Sequence, residues 1–184
     1  MIERVTRLVK EILKEEKDIN LAVDMTAGRG QDSAYILEKL KPRILFAFDI
    51  QEEARRKSLE LIGDRDDFIF IKDSHENIDS YIKDPIDLAI YNLGYLPGSD
   101  KTISTKESST IKSLEKLLAL LKVNGRVIMT IYRGHDEGFK ESLALEKFIE
   151  DLEEREFACL KLSYPNKKDI SPYVIIIEKK LAKK

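Results

Sequence analysis

Short apolar runs, each closed by a polar or charged residue, alternate with stretches of helical periodicity along nearly the whole chain. The runs are LAVD (21–24), RILFAFD (43–49), DFIFIK (67–72), PIDLAIYN (85–92) and RVIMTIY (126–132). Helical spacing fills the intervals: 32–40, where Ala34, Ile36, Leu37 and Leu40 share a face and Pro42 stops the helix, then 51–61, 74–82 and 106–121, the last ended by Asn124 and Gly125. Ahead of them, Val5, Leu8, Val9, Ile12 and Leu13 make residues 1–17 an amphipathic leading helix. A strand that feeds a helix and then a second strand returns to its sheet by a right-handed crossover. The pattern therefore predicts a mostly parallel, doubly wound α/β sheet covered on both faces. After a helix at 140–155, the strands 157–164 and 173–179 lie too close for a crossover helix and should form a hairpin that adds one antiparallel strand. No repeat, low-complexity tract or linker divides the 184 residues, which suit a single domain, 1–184, with a full core.

A hydrophobic content of 42% with 36% charged residues is ordinary globular usage, and a net charge of −2 excludes a protein that coats nucleic acid through a dominant basic surface. The charge is uneven, however. Between 165 and 184, Lys167, Lys168, Lys179, Lys180, Lys183 and Lys184 are opposed only by Asp169 and Glu178. That basic C-terminal edge either meets phosphates or keeps an exposed edge strand soluble and unpaired. No apolar stretch approaches the roughly 20 residues of a membrane span, and no apolar run follows a basic leader, so the expected location is cytoplasmic. The single cysteine, Cys159, sits in the strand-like FACLKL and is expected to be a small buried side chain rather than a nucleophile.

In a sheet of this kind ligands bind outside the carboxyl ends of the strands, and the loops carrying Gly28, Asp49, Asp73, Asn92 and Tyr132 all leave at that end. In LAVDMTAGRGQDS (21–33), Asp24 ends the strand, Gly28 and Gly30 make the bend, and Asp32 opens the helix. Glycines let the backbone approach a ligand and a helix start offers free N–H groups, which reads as a nucleoside-cofactor loop. Ser33 stands where a dinucleotide fingerprint has its third glycine, and Asp24 precedes Gly28 by four residues, as in S-adenosylmethionine methyltransferases. That favours S-adenosylmethionine over NAD, with an ordinary strand–helix connection as the alternative.

Asp49 ends the second strand 21 residues after Gly28, where its two oxygens can take both hydroxyls of a ribose; capping the next helix explains it equally. Gln51 can reach the same ribose or start that helix. Asp73, Ser74 and His75 follow the third strand, where an adenine edge would lie, although a Ser74 helix cap accounts for the same letters. Asn92-Leu93-Gly94-Tyr95 has the spacing of the Asn-Pro-Pro-Tyr motif of amino-group methyltransferases. In that chemistry an Asn carbonyl and a backbone carbonyl hold the N–H groups of an amine in line with the departing sulfur, while Tyr95 packs on a planar base. The amine must be neutral to attack, and in YRGHDEG (132–138) His135 is the first candidate to take its proton and Tyr132 the second. A plain strand exit with a Pro97-Gly98 turn, and a solvated histidine, are the competing explanations.

Taken together, DMTAGRGQD, FDIQ, DSHE, YNLGYLPGSDK, TISTKESST and YRGH resemble the YtqB/MnmM-type methyltransferases over nearly the full chain. The resemblance implies a Rossmann-like class I methyltransferase fold, S-adenosylmethionine as donor, and methylation of the 5-aminomethyl group of 2-thiouridine at the tRNA wobble position; no metal site is expected. Transfer RNA is the implied partner, and a homodimer is an open possibility. Cofactor contacts are implied for Asp24, Gly28, Gly30, Asp32, Asp49, Gln51, Ser74 and His75. Asn92, Tyr95, Tyr132 and His135 fall near the reacting groups, and Pro97, Asn166 and Pro172 among the substrate contacts. Arg29 and Gln31 depart from a usual Asn and His, and Asn166, Lys167, Ser171 and Pro172 weaken an Asn-Gln and Pro-Pro pattern. The alternatives are a methyltransferase acting on rRNA or a small amine, and a nucleoside-binding module without catalysis.

Overall fold

The computed structural model describes residues 4–93, 107–134, 136–168 and 170–181. Its strands are β1 (Leu21–Asp24), β2 (Ile44–Phe48), β3 (Phe68–Ile71), β4 (Ile86–Leu93), β5 (Leu121–Ile131), β6 (Phe157–Leu162) and β7 (Tyr173–Lys179). They form a seven-stranded sheet in the order β3-β2-β1-β4-β5-β7-β6. The first five are parallel, and β7 runs antiparallel to both β5 and β6, as the hairpin spacing predicts. The chain reverses its direction of travel across the sheet between β3 and β4, so a crevice opens where β1 and β4 lie side by side.

Side chains alternate across the sheet. Leu21 and Val23 of β1 join Ala89, Tyr91, Val127 and Met129 on one face, which also buries Ile78 of α4 (Ile78–Tyr81), Leu114 and Leu117 of α5 (Glu107–Leu120), and Leu145 of α6 (Asp136–Glu150). Ala22 joins Leu45, Leu88 and Ile128 on the other, against Val5, Val9 and Leu13 of α1 (Val5–Leu13) and Ile36 and Leu37 of α2 (Gln31–Lys39). The spacing i, i+4, i+8 of the buried α1 residues is the expected apolar stripe. The remaining helix, α3 (Glu52–Ile62), buries only Ala54 and Ser58. No helix among the described residues is long and apolar enough to cross a membrane.

Four sequence expectations change. Asn124 and Gly125 do not end α5, because the chain enters the sheet at Leu121, which pairs with Ile86, and the register shifts before Arg126 meets Leu88. Asn124 takes φ +67° in that irregularity, and a Cβ on Gly125 would lie 2.8 Å from the carbonyl oxygens of Ile86 and Lys122. Asn-Gly thus punctuates a strand instead of a helix. Helix α6 stops at Glu150 instead of 155, where the run of charged residues after Leu152 offers no apolar side chain until Phe157. The third change concerns the basic C-terminal edge: β7 is internal and β6 is the edge, and Lys179 is buried with Nζ donating to the Leu118 carbonyl at 3.0 Å. Lys179 therefore caps the end of α5 instead of solubilising an edge. Finally, Cys159 is exposed, because β6 has a neighbour on one side only and its residues 158–161 are all exposed. Burial of part of its surroundings nevertheless pushes the thiol pKa up, away from nucleophilic reactivity.

Candidate active site

Four carboxyl-end loops converge on the crevice. Asp24, the last residue of β1, is buried; its Oδ1 accepts the Thr26 N–H at 3.1 Å and its Oδ2 the Ser33 hydroxyl at 2.6 Å. Burial, and next the charge of nearby Asp32, push its pKa up to about 7, against the opposing hydrogen bonds of Ser33 and Thr26. Ser33, the residue that spoils a dinucleotide fingerprint, is thus the partner that holds Asp24 in place. The side chain of Thr26 acts as well, since its Oγ1 accepts the Asn92 backbone N–H at 2.7 Å and ties the end of β4 to the first loop.

Gly28 adopts φ +52° and donates its N–H to Asp49 Oδ2 at 3.0 Å, while Asp49 Oδ1 accepts the Gln51 N–H at 2.9 Å. Asp49 is therefore both a clasp on the glycine loop and the acceptor at the start of α3, whose cap residue is Gln51. Burial raises its pKa, with the N–H groups of Gln51 and Gly28 pulling the other way. Gly30, at φ +77°, precedes α2 and packs on α3 so closely that a Cβ would stand 2.8 Å from Ser58 Oγ and 2.9 Å from Ser58 Cα. Ser58 Oγ in turn donates to the Gly28 carbonyl at 3.3 Å.

Asn92 is half-buried at the end of β4, and its Nδ2 donates to Asp32 Oδ2 at 3.1 Å. Tyr132, just past the end of β5, has its phenol pKa raised by burial and then by the Asp32 charge, so it stands near the same carboxylate. Asp24, Asp32, Asn92 and Tyr132 are in this way one cluster, brought together by four different elements. After β3 the arrangement is more self-contained. Asp73 accepts from the Ser74 N–H at 2.7 Å and the Tyr81 hydroxyl at 2.8 Å, and also from Asn77. Ser74 Oγ caps the 3₁₀ turn His75–Asn77 through the Glu76 N–H. The His75 ring is buried with its centroid 5.9 Å from that of Tyr91, its Nε2 has no partner among the described residues, and burial pulls its pKa down to about 4. It is a neutral imidazole at pH 7.

Tyr95, Pro97 and His135 lie outside the described residues. Asn166 and Pro172 sit on the β6–β7 connection. Sequence reasoning missed Thr26, Ser33 and Ser58: Ser33 carried a signal only as a departure from glycine, and nothing in the pattern marked Ser58.

The family description "Putative rRNA methylase" matches residues 45–178. The chain belongs to this rRNA methylase family. Among solved structures it is similar to a "putative rRNA-methylase" of Clostridium thermocellum, with 32% identity, 97% of this chain and 99% of that one covered, and a TM-score of 0.90. A "putative methyltransferase" of Streptococcus mutans, solved in complex with S-adenosylhomocysteine (SAH), is 32% identical, with the same coverage and a TM-score of 0.85. The chloroplastic tRNA (mnm(5)s(2)U34)-methyltransferase of Arabidopsis thaliana is 24% identical over 172 residues. That alignment takes in 86% of this chain and 62% of the plant protein, so the chain spans less than two thirds of that relative's length. The sheet order and the family together make this a class I methyltransferase fold.

Proposed function

We propose that the chain is an S-adenosylmethionine-dependent N-methyltransferase whose nucleophile is the 5-aminomethyl nitrogen of 2-thiouridine at the tRNA wobble position. The observation that carries the reading is Asn92, clamped at its backbone by Thr26 and at its side-chain amino group by Asp32. With Nδ2 committed to Asp32, the Oδ1 of the same amide is the group offered to a substrate N–H. An amine held there by one carbonyl keeps its lone pair for attack.

The residues present fit a nucleoside donor. Asp49 Oδ2 takes the Gly28 N–H and Oδ1 the Gln51 N–H, and a carboxylate has acceptor positions beyond these for a ribose hydroxyl. Gly28 has no Cβ to obstruct approach, and Asp24 and Asp32 place carboxyl groups beside that loop. When bound, the donor's sulfonium supplies an electrophilic methyl group. The chain contributes alignment: Asn92 orients the amine, and Asp32 fixes which way the Asn92 amide faces. Tyr132, kept neutral by burial and by Asp32, offers a phenol lone pair rather than a phenolate to the departing proton, which leaves His135 as the first candidate base. The plant relative's stated substrate supports a wobble-uridine target.

The family description supports a second reading, methylation of rRNA. Isotope-labelled donor, incubated with the protein and either tRNA from cells lacking the methylaminomethyl group or protein-free rRNA, separates the two. Label in tRNA alone is expected, and label confined to rRNA would overturn the tRNA assignment.

A further inference from the structure

A second hollow, of about 230 Å³, lies on the same edge of the sheet as the crevice, beyond β5. Tyr173 begins β7 opposite Ile131, the last residue of β5, so the hollow begins one residue past Tyr132. Arg133 forms its floor. The side chain is buried, donates to Ser142 Oγ at 2.8 Å and Glu146 Oε1 at 2.7 Å, and its guanidinium lies 4.9 Å from the Tyr173 ring centroid. Lys161 shares Glu146 at 2.7 Å and lies over the same ring at 4.6 Å. Lys167, whose Nζ lies 4.4 Å from the Tyr164 ring centroid, and Lys168 also line it, as do Ser163 and Ser171. Four cations thus line the hollow, two of them, Arg133 and Lys161, held by Glu146, and the space is smaller than the roughly 300 Å³ at which pockets begin to enclose whole small molecules.

One buried, oriented guanidinium beneath three exposed lysines, with hydroxyls beside them, suits a phosphodiester, whose charge-assisted hydrogen bonds are strong and whose bulk fits the space. We infer that this hollow grips a backbone phosphate of the RNA substrate next to the nucleotide being methylated, and so sets the register of that nucleotide against Asn92. This inference rests on an RNA substrate. β4 and β7 are two strands apart, about 10 Å, which is the reach of a neighbouring nucleotide. Asp169, the one acid in segment 163–172, lies outside the described residues.

The test uses Lys167→Ala/Lys168→Ala and Lys167→Arg/Lys168→Arg in the full chain, with a fluorescent anticodon stem-loop RNA titrated across a range of salt. The alanine pair should raise Kd about tenfold and reduce the slope of log K against log salt by about 0.7, the value for one lost single-strand phosphate contact. The arginine pair should restore the wild-type slope, and SAH affinity of the alanine pair, read by calorimetry, should stay at the wild-type value. An unchanged RNA Kd and salt slope in the alanine pair would overturn the inference. Methyl transfer to the same RNA reports the parent reading separately. No transfer by wild type, with the Kd pattern intact, refutes the wobble target alone. Normal transfer with an unchanged Kd refutes the hollow alone.

Discussion

Replacing Asp24 by Asn should remove a specific pH dependence from the stability of the fold. Burial of Asp24 and the adjacent Asp32 charge raise its pKa from 3.8 to about 7. A carboxyl raised on folding binds its proton more tightly in the native state, so its favourable contribution is complete below pH 4 and is lost as pH climbs through 7. With those two values, the wild type should lose about 2–3 kcal/mol from this group between pH 5 and pH 8. Urea unfolding at pH 5, 6.5 and 8, at fixed ionic strength, measures the loss. Asp24→Asn keeps the shape and an oxygen for the Ser33 hydroxyl, and its stability curve should be flatter than that of the wild type by that amount. Asp32→Asn should flatten the wild-type curve part of the way, because the Asp32 charge is the second cause of the shift. Parallel curves for wild type and Asp24→Asn would refute the claim that Asp24 is a strongly raised carboxyl.

Gly30→Ala should destabilise the protein by about 2–4 kcal/mol, since it adds left-handed strain and drives a Cβ against the α3 backbone at Ser58; a second change, Ser58→Gly, should recover part of that loss in urea unfolding. Asp49→Ala should weaken SAH binding by about 1–3 kcal/mol in calorimetry, and an unchanged affinity would remove Asp49 from the ribose-binding role. Asn92→Ala should lower kcat much more than it lowers SAH affinity, whereas equal losses in both would make Asn92 a structural residue.

The fold was legible because each strand carries its own apolar run and each boundary its own stop signal. The β6–β7 spacing alone excluded a crossover helix, and the sheet shows the antiparallel strand that follows. What the sequence misled on were positions decided by neighbours far along the chain. Asn124-Gly125 looks the same before a strand as inside an irregular one, and the choice depends on pairing with Ile86. Cys159 reads as a core residue until β7 takes the inner place and leaves β6 at the edge. In the site, the acids and glycines were visible because their types are unusual at strand ends. Thr26, Ser33 and Ser58 were not, because a hydroxyl shows its purpose only when its partner is in place. The Asn92–Asp32 bond joins residues 60 apart and leaves no local pattern at all.

Mass analysis of nucleosides digested from tRNA that lacks the methyl group, after reaction with the purified protein and donor, bears most directly on a crevice that presents a methyl group to an amine nitrogen. The expected result is one added methyl on the side-chain nitrogen of 5-aminomethyl-2-thiouridine, giving the methylaminomethyl form. A methyl found on a ring atom or a ribose oxygen, with the side-chain amine untouched, would contradict it.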